Sequence, residues 1–463
     1  YSKGTLMNIL GVSCYHHDSA AANIKNNVIL GASHEERFSR NKYDNNFPIN
    51  SINWLKNAYE DFDYAVFYEE TTYKRFKRDI KKVSKAKPVL VDHHEAHAMS
   101  SIITTDWDEC AVMVIDTVGN KFSTSLGVYS KGKFTWLRRM RYPNSLGLFY
   151  SSATRFLGLQ PLSDESQVMA AAAYGTPKWS KYIKDNILHY DHKGDYTALQ
   201  DLERGVGYGT LDWDIAASVQ HVTQTIIANM ASWLQQETGM TKLAYAGGVA
   251  LNCVANTEIL NWTNFEEVAI QPAAGDAGCA LGAAALLDRP KQFTPYLGVS
   301  DSRGLHADDY ASRILKGDIV AVIEGQAEFG PRALGNRSLL CLPTDDNIKK
   351  LNKIKNRDED SWRPYAPICL RDEAPHWFHI IKPCPYMLNI AKIKKGLFNT
   401  YDNSARLQVV DEKSNVFLWR ILNQCKNHGH SILINTSLNG KGKPIVNTVD
   451  DLKEVQLYNE LCY

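Results

Sequence analysis

Residues 7–13 form an apolar run that breaks at the polar turn Tyr15-His16-His17-Asp18, a pattern that predicts a buried strand ending in a loop. Two further short apolar runs, 20–25 and 28–33, are joined by Asn26-Asn27 and predict a hairpin. The same scheme returns near residue 111. Residues 111–115 are apolar, Asp116-Thr117-Val118-Gly119-Asn120 is the polar loop, and 123–129 and 134–139 follow as strands joined by Ser130-Lys131-Gly132-Lys133. Apolar residues then fall at helical spacing over 214–236, and the run stops before Gly239. A buried strand is predicted at 243–246, after which Gly247-Gly248 opens a helix running past Val254. Residues 268–270 read as another strand, and Gly275-Asp276-Ala277-Gly278 opens a helix of small residues over 280–287. Residues 290–304 have the prolines, glycines and polar residues of a linker, a helix start is read at Pro331, and a new strand is expected at 319–323.

The repeat decides the fold class. A strand, a polar loop and two meander strands, occurring twice with helices after each, is the layout of the two-lobed actin-like ATPase fold, an α/β architecture. Both polar loops would then face one cleft, where phosphate or metal sits. Two unrelated meanders would give the same local pattern. The boundary is placed near residue 300, giving a first domain over 7–298 and a second over 305–463.

The 463 residues allow two or three domains with ample core, and 44% hydrophobic with 22% charged residues is ordinary for a globular protein. A net charge of +1 gives the whole molecule no bias towards polyanions. No apolar run is long enough to span a bilayer, and the start shows no signal-peptide pattern. Met7 is read as the natural start, with Tyr1 to Leu6 as an added extension. Nine scattered cysteines without C-x-x-C point to reduced thiols in a cytoplasmic protein.

The densest chemistry lies at Glu328-Phe-Gly-Pro-Arg-Ala-Leu-Gly-Asn-Arg-Ser338. Arg332 and Arg337 flank a glycine, and guanidinium forks beside a helix start suit phosphate or carboxylate. Two solvated arginines at a surface helix start would read alike. This block, with Trp362-Arg363-Pro364-Tyr365-Ala366-Pro367 and Asn435-Thr436-Ser437-Leu438-Asn439, resembles the O-carbamoyltransferases of the nodulation-protein and antibiotic-tailoring type. The similarity extends from Gly11 to about Asp450. It implies a C-terminal YrdC-like domain that forms carbamoyl-adenylate from carbamoyl phosphate and ATP, releasing pyrophosphate. Arg332, Arg337, Lys355, Arg357 and Arg363 would supply cations for the phosphorylated reactants, with Ser338, Asn435 and Ser437 as neutral donors. Lys355 alone also fits a solvated helix lysine.

His93 and His97 are four apart, so on a helix they share a face and can grip one ion. Surface histidines would show the same spacing. Asp116 and Asp276 each sit in a glycine-containing loop at the end of a predicted strand, and two imidazoles with two carboxylates suit iron(II) first, then manganese or zinc. The tRNA threonylcarbamoyl transferases, which resemble residues 7–298, carry the same set, and this resemblance implies His93, His97, Asp116 and Asp276 as ligands. His94 competes with His93. Gly247, Gly248, Asn252 and Gly275 are the candidate nucleotide-binding residues, the glycines through backbone amides and Asn252 as a polar reader. His17-Asp18 matches the family's His-Asp near the N-terminus. Histidine can accept the proton of an attacking hydroxyl and aspartate can orient it, although a hydrogen-bonded turn would use the same pair. Glu36-Arg37-Phe38-Ser39-Arg40 and Phe47-Pro48 also match, as acceptor-side or structural residues. Two positions depart from the pattern: Gln167 replaces a lysine and Tyr401 a histidine, which bears on acceptor specificity.

The reading that results is an ATP-dependent O-carbamoyltransferase using Mg2+ with ATP, carbamoyl phosphate and a hydroxyl-bearing acceptor. No membrane is implied, and a homodimer is kept in view. The acceptor is either a hydroxymethylated pyrimidine in DNA, such as 5-hydroxymethylcytosine, or a sugar hydroxyl of a small metabolite. Residues 74–87, with eight lysines and arginines on a single aspartate, fit a phosphate backbone or a solvated face. Two rivals remain: tRNA threonylcarbamoylation, and a non-enzymatic nucleotide sensor of actin-like fold.

Overall fold

The computed structural model describes residues 7–201, 209–357, 362–380, 382, 385–394 and 402–455. Tyr401 lies outside the described residues. The chain divides into two compact units, Tyr1–Glu35 with Asn45–Phe293, and Glu36–Asp44 with Thr294–Tyr463.

The first unit carries the repeat. Strands β1 (Asn8–Ser13), β2 (Ala20–Lys25), β3 (Val28–His34), β4 (Tyr64–Phe67) and β5 (Lys87–Leu90) form a sheet in the order β3-β2-β1-β4-β5. The first three are antiparallel neighbours, and β4 and β5 add in parallel. A second set comprises β6 (Glu109–Gly119), β7 (Phe122–Ser130) and β8 (Lys133–Arg141). After a short hairpin of β9 (Leu188–Tyr190) and β10 (Tyr196–Ala198), it is completed by β11 (Lys242–Ala246) and β12 (Glu267–Ile270). Its order, β8-β7-β6-β11-β12, and its mix of antiparallel and parallel pairs repeat the first sheet strand for strand. This duplicated topology is the expected actin-like ATPase architecture.

Small residues bring the two halves of this unit together. Seven of the ten residues of helix Asp276–Ala285 are alanine or glycine, and all but its first residue are buried. A Cβ on Gly11 of β1 would lie 1.7 Å from the Ala280 carbonyl oxygen, and one on Gly282 would lie 1.9 Å from that of Ala96. The helix therefore packs backbone to backbone against β1 on one side and helix His93–Ile102 on the other, which no larger side chain would permit. Helix Trp213–Thr238 ends on Gly239 in the left-handed conformation, as its pattern predicts.

The second unit holds β13 (Tyr296–Ser300), β14 (Val320–Ile323), β15 (Gln326–Glu328), β16 (Arg337–Cys341), β17 (Ala366–Leu370), β18 (Phe378–His379), β19 (Ile390–Ile393), β20 (Ser404–Arg406), β21 (Gln408–Val410) and β22 (Ile432–Ser437). Its main sheet runs β14-β16-β22-β17-β21, antiparallel except for the last pair. Three expectations are corrected here. The supposed linker contains β13, which pairs with β15. No helix starts at Pro331; residues 329–336 form a loop that leads into β16. The boundary falls at Phe293 and Thr294, and Glu36–Asp44 belongs with the C-terminal unit. Within that unit Arg37 is buried and donates to the carbonyls of Gly330 (3.1 Å) and Val446 (3.4 Å). Arg40 donates to those of Ile445 (2.9 Å) and Pro444 (3.1 Å). Both arginines thus brace the backbone of this unit.

Candidate functional site

Asp92 ends an extended segment and caps helix His93–Ile102, accepting the Glu95 N–H at 3.1 Å. One turn apart on that helix, His93 and His97 stack with ring centroids at 4.9 Å. Asp116 comes from β6 and Asp276 from the start of the small-residue helix. His97 Nε2 lies 3.4 Å from Asp276 Oδ1 and 3.6 Å from Asp116 Oδ2, and His93 Nε2 lies 3.5 and 3.9 Å from the same atoms. Both rings are buried, and none of their four nitrogens has a formed hydrogen bond. The structure thus brings together all four residues expected as ligands. It also separates His93 from His94, whose Nδ1 is 2.6 Å from Ser125 Oγ.

The charges at this cluster suit a cation. Burial opposes a charge on His93, but the Asp276 and Glu69 carboxylates outweigh it and lift the imidazole to about 10. Burial also opposes the charge on Asp276, yet the two imidazoles hold its carboxyl far below the usual range. The Asp116 and Asp276 carboxylates thus favour positive charge beside the two imidazoles. A divalent ion would supply that charge, with the imidazoles binding it in their neutral form. Donors about 2.0–2.2 Å from one tetrahedral ion stand roughly 3.4 Å apart, close to the spacing found here. The residues therefore fit a divalent metal.

The candidate nucleotide elements lie beside this cluster. Gly247 has φ of 96°, and a Cβ there would lie 2.1 Å from the Ile115 carbonyl oxygen, so only glycine fits. The Gly248 N–H donates to Asp116 Oδ1 at 3.3 Å. Gly275 is open around its α-carbon, with Gly248 Cα the nearest atom to a Cβ built there, at 3.9 Å. Asn252 is committed elsewhere: it caps helix Cys253–Trp262 through Ala255 N–H and exchanges hydrogen bonds with the Gln220 amide at 3.0 and 3.1 Å. His17 Nδ1 is 3.1 Å from Asp18 and its Nε2 is 2.7 Å from the Leu162 carbonyl oxygen. Burial would lower its affinity for a proton, but Asp18 and that carbonyl raise it to about 9. The ring therefore holds both protons at neutral pH, and the expected base is not poised in its free form.

In the second unit the Glu328–Ser338 block turns inward. Glu328 Oε1 accepts the N–H groups of Leu334 (2.7 Å), Asn336 (2.8 Å) and Arg337 (3.1 Å), and Ser338 Oγ accepts that of Gly335 at 3.0 Å. The amides expected to meet phosphate are occupied by the loop's own side chains. Arg337 is fully buried, with its five N–H groups spent on the carbonyls of Asn447, Glu324, Asn336, Val299 and Gly325. It braces the loop and is not open to a ligand. Asn435 is also enclosed, donating to Gln408 Oε1 at 2.6 Å. Arg332, Arg357, Arg363 and Ser437 are partly exposed. Lys355 is buried rather than solvated. It donates to the Ser437 carbonyl, to Ser437 Oγ (3.2 Å) and to Asn439 Oδ1 (2.6 Å). Burial first, then Arg357, Arg363 and Lys42, depress its pKa well below that of an ordinary lysine. Cations gathered in this way are a place for an anion.

Family profiles cover almost all of this structure. "Carbamoyltransferase N-terminus" matches residues 8–78 and 60–285, and "Carbamoyltransferase C-terminus" matches residues 311–462. The chain belongs to the carbamoyltransferase family. An uncharacterized protein of Synechocystis sp., sll1178, is 31% identical, with 99% of this chain and 95% of that protein covered. Nodulation protein NolO of Bradyrhizobium diazoefficiens is 32% identical over 78% of this chain and 75% of its own length. The 3'-hydroxymethylcephem-O-carbamoyltransferase of Amycolatopsis lactamdurans is 30% identical over 67% and 65%. This carbamoyltransferase is accordingly a transferase, and among the described residues no helix is long and apolar enough to cross a membrane.

Three residues at the metal-type cluster were missed by the sequence reading. Glu69, at the end of β4, puts Oε2 3.4 Å from His93 Nδ1. Tyr68 packs its ring 4.5 Å from that of His93. Cys279 belongs with His93, His97 and Asp276 to a set whose ligand atoms all lie within 4.8 Å of one another. Glu69 and Tyr68 reach the site only through the order of strands in the sheet. Cys279 follows Asp276 at i+3, a spacing that sequence reading can use once Asp276 is suspected.

Proposed function

We propose that this chain is an ATP-dependent O-carbamoyltransferase. The observation that carries the reading is the match of both family profiles, in order, one to each half of the chain. In the C-terminal unit carbamoyl phosphate, ATP and water become carbamoyl-adenylate, pyrophosphate and phosphate. Arg332, Lys355, Arg357, Arg363 and Ser437 hold the phosphate groups, while Arg337, Ser338 and Asn435 keep the loop and sheet beneath them in shape. An arriving anion favours the charged form of Lys355 and so opposes the burial that depresses its pKa. In the N-terminal unit Gly247, Gly248 and Gly275 give close approach to the adenylate, and His93, His97, Asp116 and Asp276 hold a divalent metal. Such an ion supplies Lewis-acid polarisation when bound. The acceptor hydroxyl attacks the carbamoyl carbon, AMP leaves, and a carbamate ester forms. His17 takes the hydroxyl proton once it has lost its own, and Asp18 orients the ring.

The acceptor we infer is a hydroxymethylated pyrimidine in DNA. Helix Tyr73–Ile80 and the turn after it expose Lys74, Arg75, Lys77, Arg78, Lys81 and Lys82 around one carboxylate, Asp79. Arg75 lies over the Tyr15 ring at 4.1 Å, and Tyr15 OH donates to Asp79 at 2.9 Å. Tyr15 is two residues from His17, so the basic surface adjoins the proposed base and can track a phosphate backbone there. A base in a duplex would have to be presented out of the stack. A small-molecule alcohol is the second reading, favoured by the cephem relative, whose name gives a hydroxymethyl acceptor. Incubation with ATP, carbamoyl phosphate and a panel of alcohols including 5-hydroxymethylcytosine DNA tests both. The expected result is pyrophosphate exchange into ATP and a mass gain of about 43 daltons, one carbamoyl replacing hydrogen, on one acceptor class. Absence of exchange and of any carbamoylated product would refute the activity.

A further inference from the structure

We propose that Tyr15 is a positioning residue for carbamoyl transfer: through Asp79 and Arg75 it ties the turn 15–18 to helix Tyr73–Ile80 and so holds His17 in place to take the acceptor's proton. The inference rests on the reading of His17 as the base. Three residues other than glycine adopt left-handed backbone conformations around this one imidazole. Tyr15 (φ 80°) and Asp18 (φ 44°) lie in its own turn, and the third is Leu162 (φ 61°), whose carbonyl oxygen lies 2.7 Å from His17 Nε2. For a bulky side chain such as tyrosine this conformation is unfavourable, and it persists only where surrounding contacts hold it.

Those contacts run from the turn into the basic helix. The Tyr15 N–H donates to the Asn45 carbonyl at 2.8 Å, and the Asn45 side-chain amide donates to the His16 carbonyl at 3.4 Å, so one residue brackets the start of the turn. The Tyr15 ring packs on Phe47 with centroids 6.4 Å apart, meets Phe67 edge-on at 6.3 Å, and has the Arg75 guanidinium over it at 4.1 Å. Its hydroxyl donates to Asp79 Oδ2 at 2.9 Å. Burial, with Cys14 and Asp79 beside it, raises the pKa of the phenol, so the hydroxyl remains a donor across neutral pH. Lys82 donates to the other oxygen of Asp79 at 2.7 Å, which fixes the carboxylate that receives Tyr15. The ring is thus held at its face, its edge and its tip, while His17 two residues on stays partly exposed. Tyr15 acts on the base through the backbone of the turn.

Tyr15→Phe keeps the ring and removes only the hydrogen bond to Asp79. Carbamoyl transfer by the full chain is followed with 5-hydroxymethylcytosine DNA and with a 3'-hydroxymethylcephem as acceptors, under single-turnover conditions that resolve slow residual rates. In Tyr15→Phe the transfer rate at saturating acceptor should fall roughly ten- to a hundredfold, the size of a positioning defect, with acceptor KM and pyrophosphate exchange unchanged. In a His17→Gln background the same substitution should cause no further loss, because its effect passes through the imidazole. A merely structural role would lower the rate in both backgrounds. An unchanged rate in Tyr15→Phe, or an additive loss in the double variant, would overturn the positioning role and leave the carbamoyltransferase reading standing. A wild-type rate in His17→Gln would remove the base, and this inference with it, but not the transferase. A wild-type chain that carbamoylates neither acceptor brings down the transfer reading and this inference together. If Tyr15→Phe does not fold, Asp79→Ala, which removes the acceptor of the same hydrogen bond, takes its place in both backgrounds.

Discussion

The two imidazoles most exposed to proton competition have different jobs, and the shifts separate them. His17 is held charged by Asp18 and the Leu162 carbonyl, with its pKa raised to about 9. A base must be unprotonated, so its active fraction grows as pH rises through that value. Transfer from preformed carbamoyl-adenylate should climb with pH from neutrality and level off near pH 9, and His17→Gln should flatten the profile. A wild-type rate that does not change with pH over this range would exclude His17 as the base. Glu69 acts through His93. Its carboxylate, 3.4 Å from Nδ1, fixes the ring with Nε2 towards the carboxylates. Glu69→Gln should weaken metal binding by about 10- to 100-fold in equilibrium dialysis, and unchanged affinity would remove the orienting role. At this scale the sequence revealed spacing but not burial. His93 and His97 were legible from their four-residue separation. Glu69 was not, because no spacing rule joins it to them. Arg337 was read as a ligand from its charge, whereas burial turns every one of its donors onto backbone.

Among elements, the small-residue helix is what sets the spacing of the cluster. Gly282→Ala puts a methyl group against the Ala96 carbonyl, from the helix that carries both histidines. Overpacking of this kind costs about 1–3 kcal/mol, so a lower urea midpoint with reduced metal occupancy is expected. Wild-type stability in Gly282→Ala would show that the two helices can separate freely. The basic helix carries the acceptor question. Reversing Lys77, Arg78, Lys81 and Lys82 to glutamate should weaken DNA binding and flatten its salt dependence by about 0.9 for each phosphate no longer neutralised, while pyrophosphate exchange is untouched. Carbamoylation of a free nucleoside or alcohol that survives the reversal, with no DNA binding by the parent protein, would sink the nucleic-acid reading. Eight of the ten strands in the duplicated sheets were legible in outline from their apolar runs beside polar turns, whereas β4 and β5, four residues each, gave no strand pattern of their own. Strand β13 was hidden among prolines and glycines, and its pairing partner β15 is too short to show a period. The helix expected at Pro331 fails for a local reason: Glu328 collects the amides that would have started it.

For the whole molecule, the chain order conceals one connection and suggests a division of labour. Glu36–Asp44 is covalently part of the N-terminal half but folds with the C-terminal unit, where Arg37 and Arg40 tie down the chain around residues 444–446. Local periodicity carries no trace of this, because the segment is a single short helical turn and a loop. The two half-reactions are nevertheless assigned to different units, and that assignment can be broken by experiment. His93→Ala or Asp276→Ala removes a donor from the N-terminal cluster. Each should lose bound metal and carbamoyl transfer, while pyrophosphate exchange, which depends on the cations of the second unit, continues. Arg332→Ala should do the reverse. It removes a partly exposed cation from the Glu328–Ser338 loop without touching the buried brace at Arg337, so exchange should fall roughly a hundredfold with metal content intact. Arg337→Ala is the less informative choice, since it leaves five backbone carbonyls without their donor and would unfold the loop. If His93→Ala loses exchange along with transfer, or Arg332→Ala loses metal, the two sites are not separable and the assignment of one half-reaction to each unit falls.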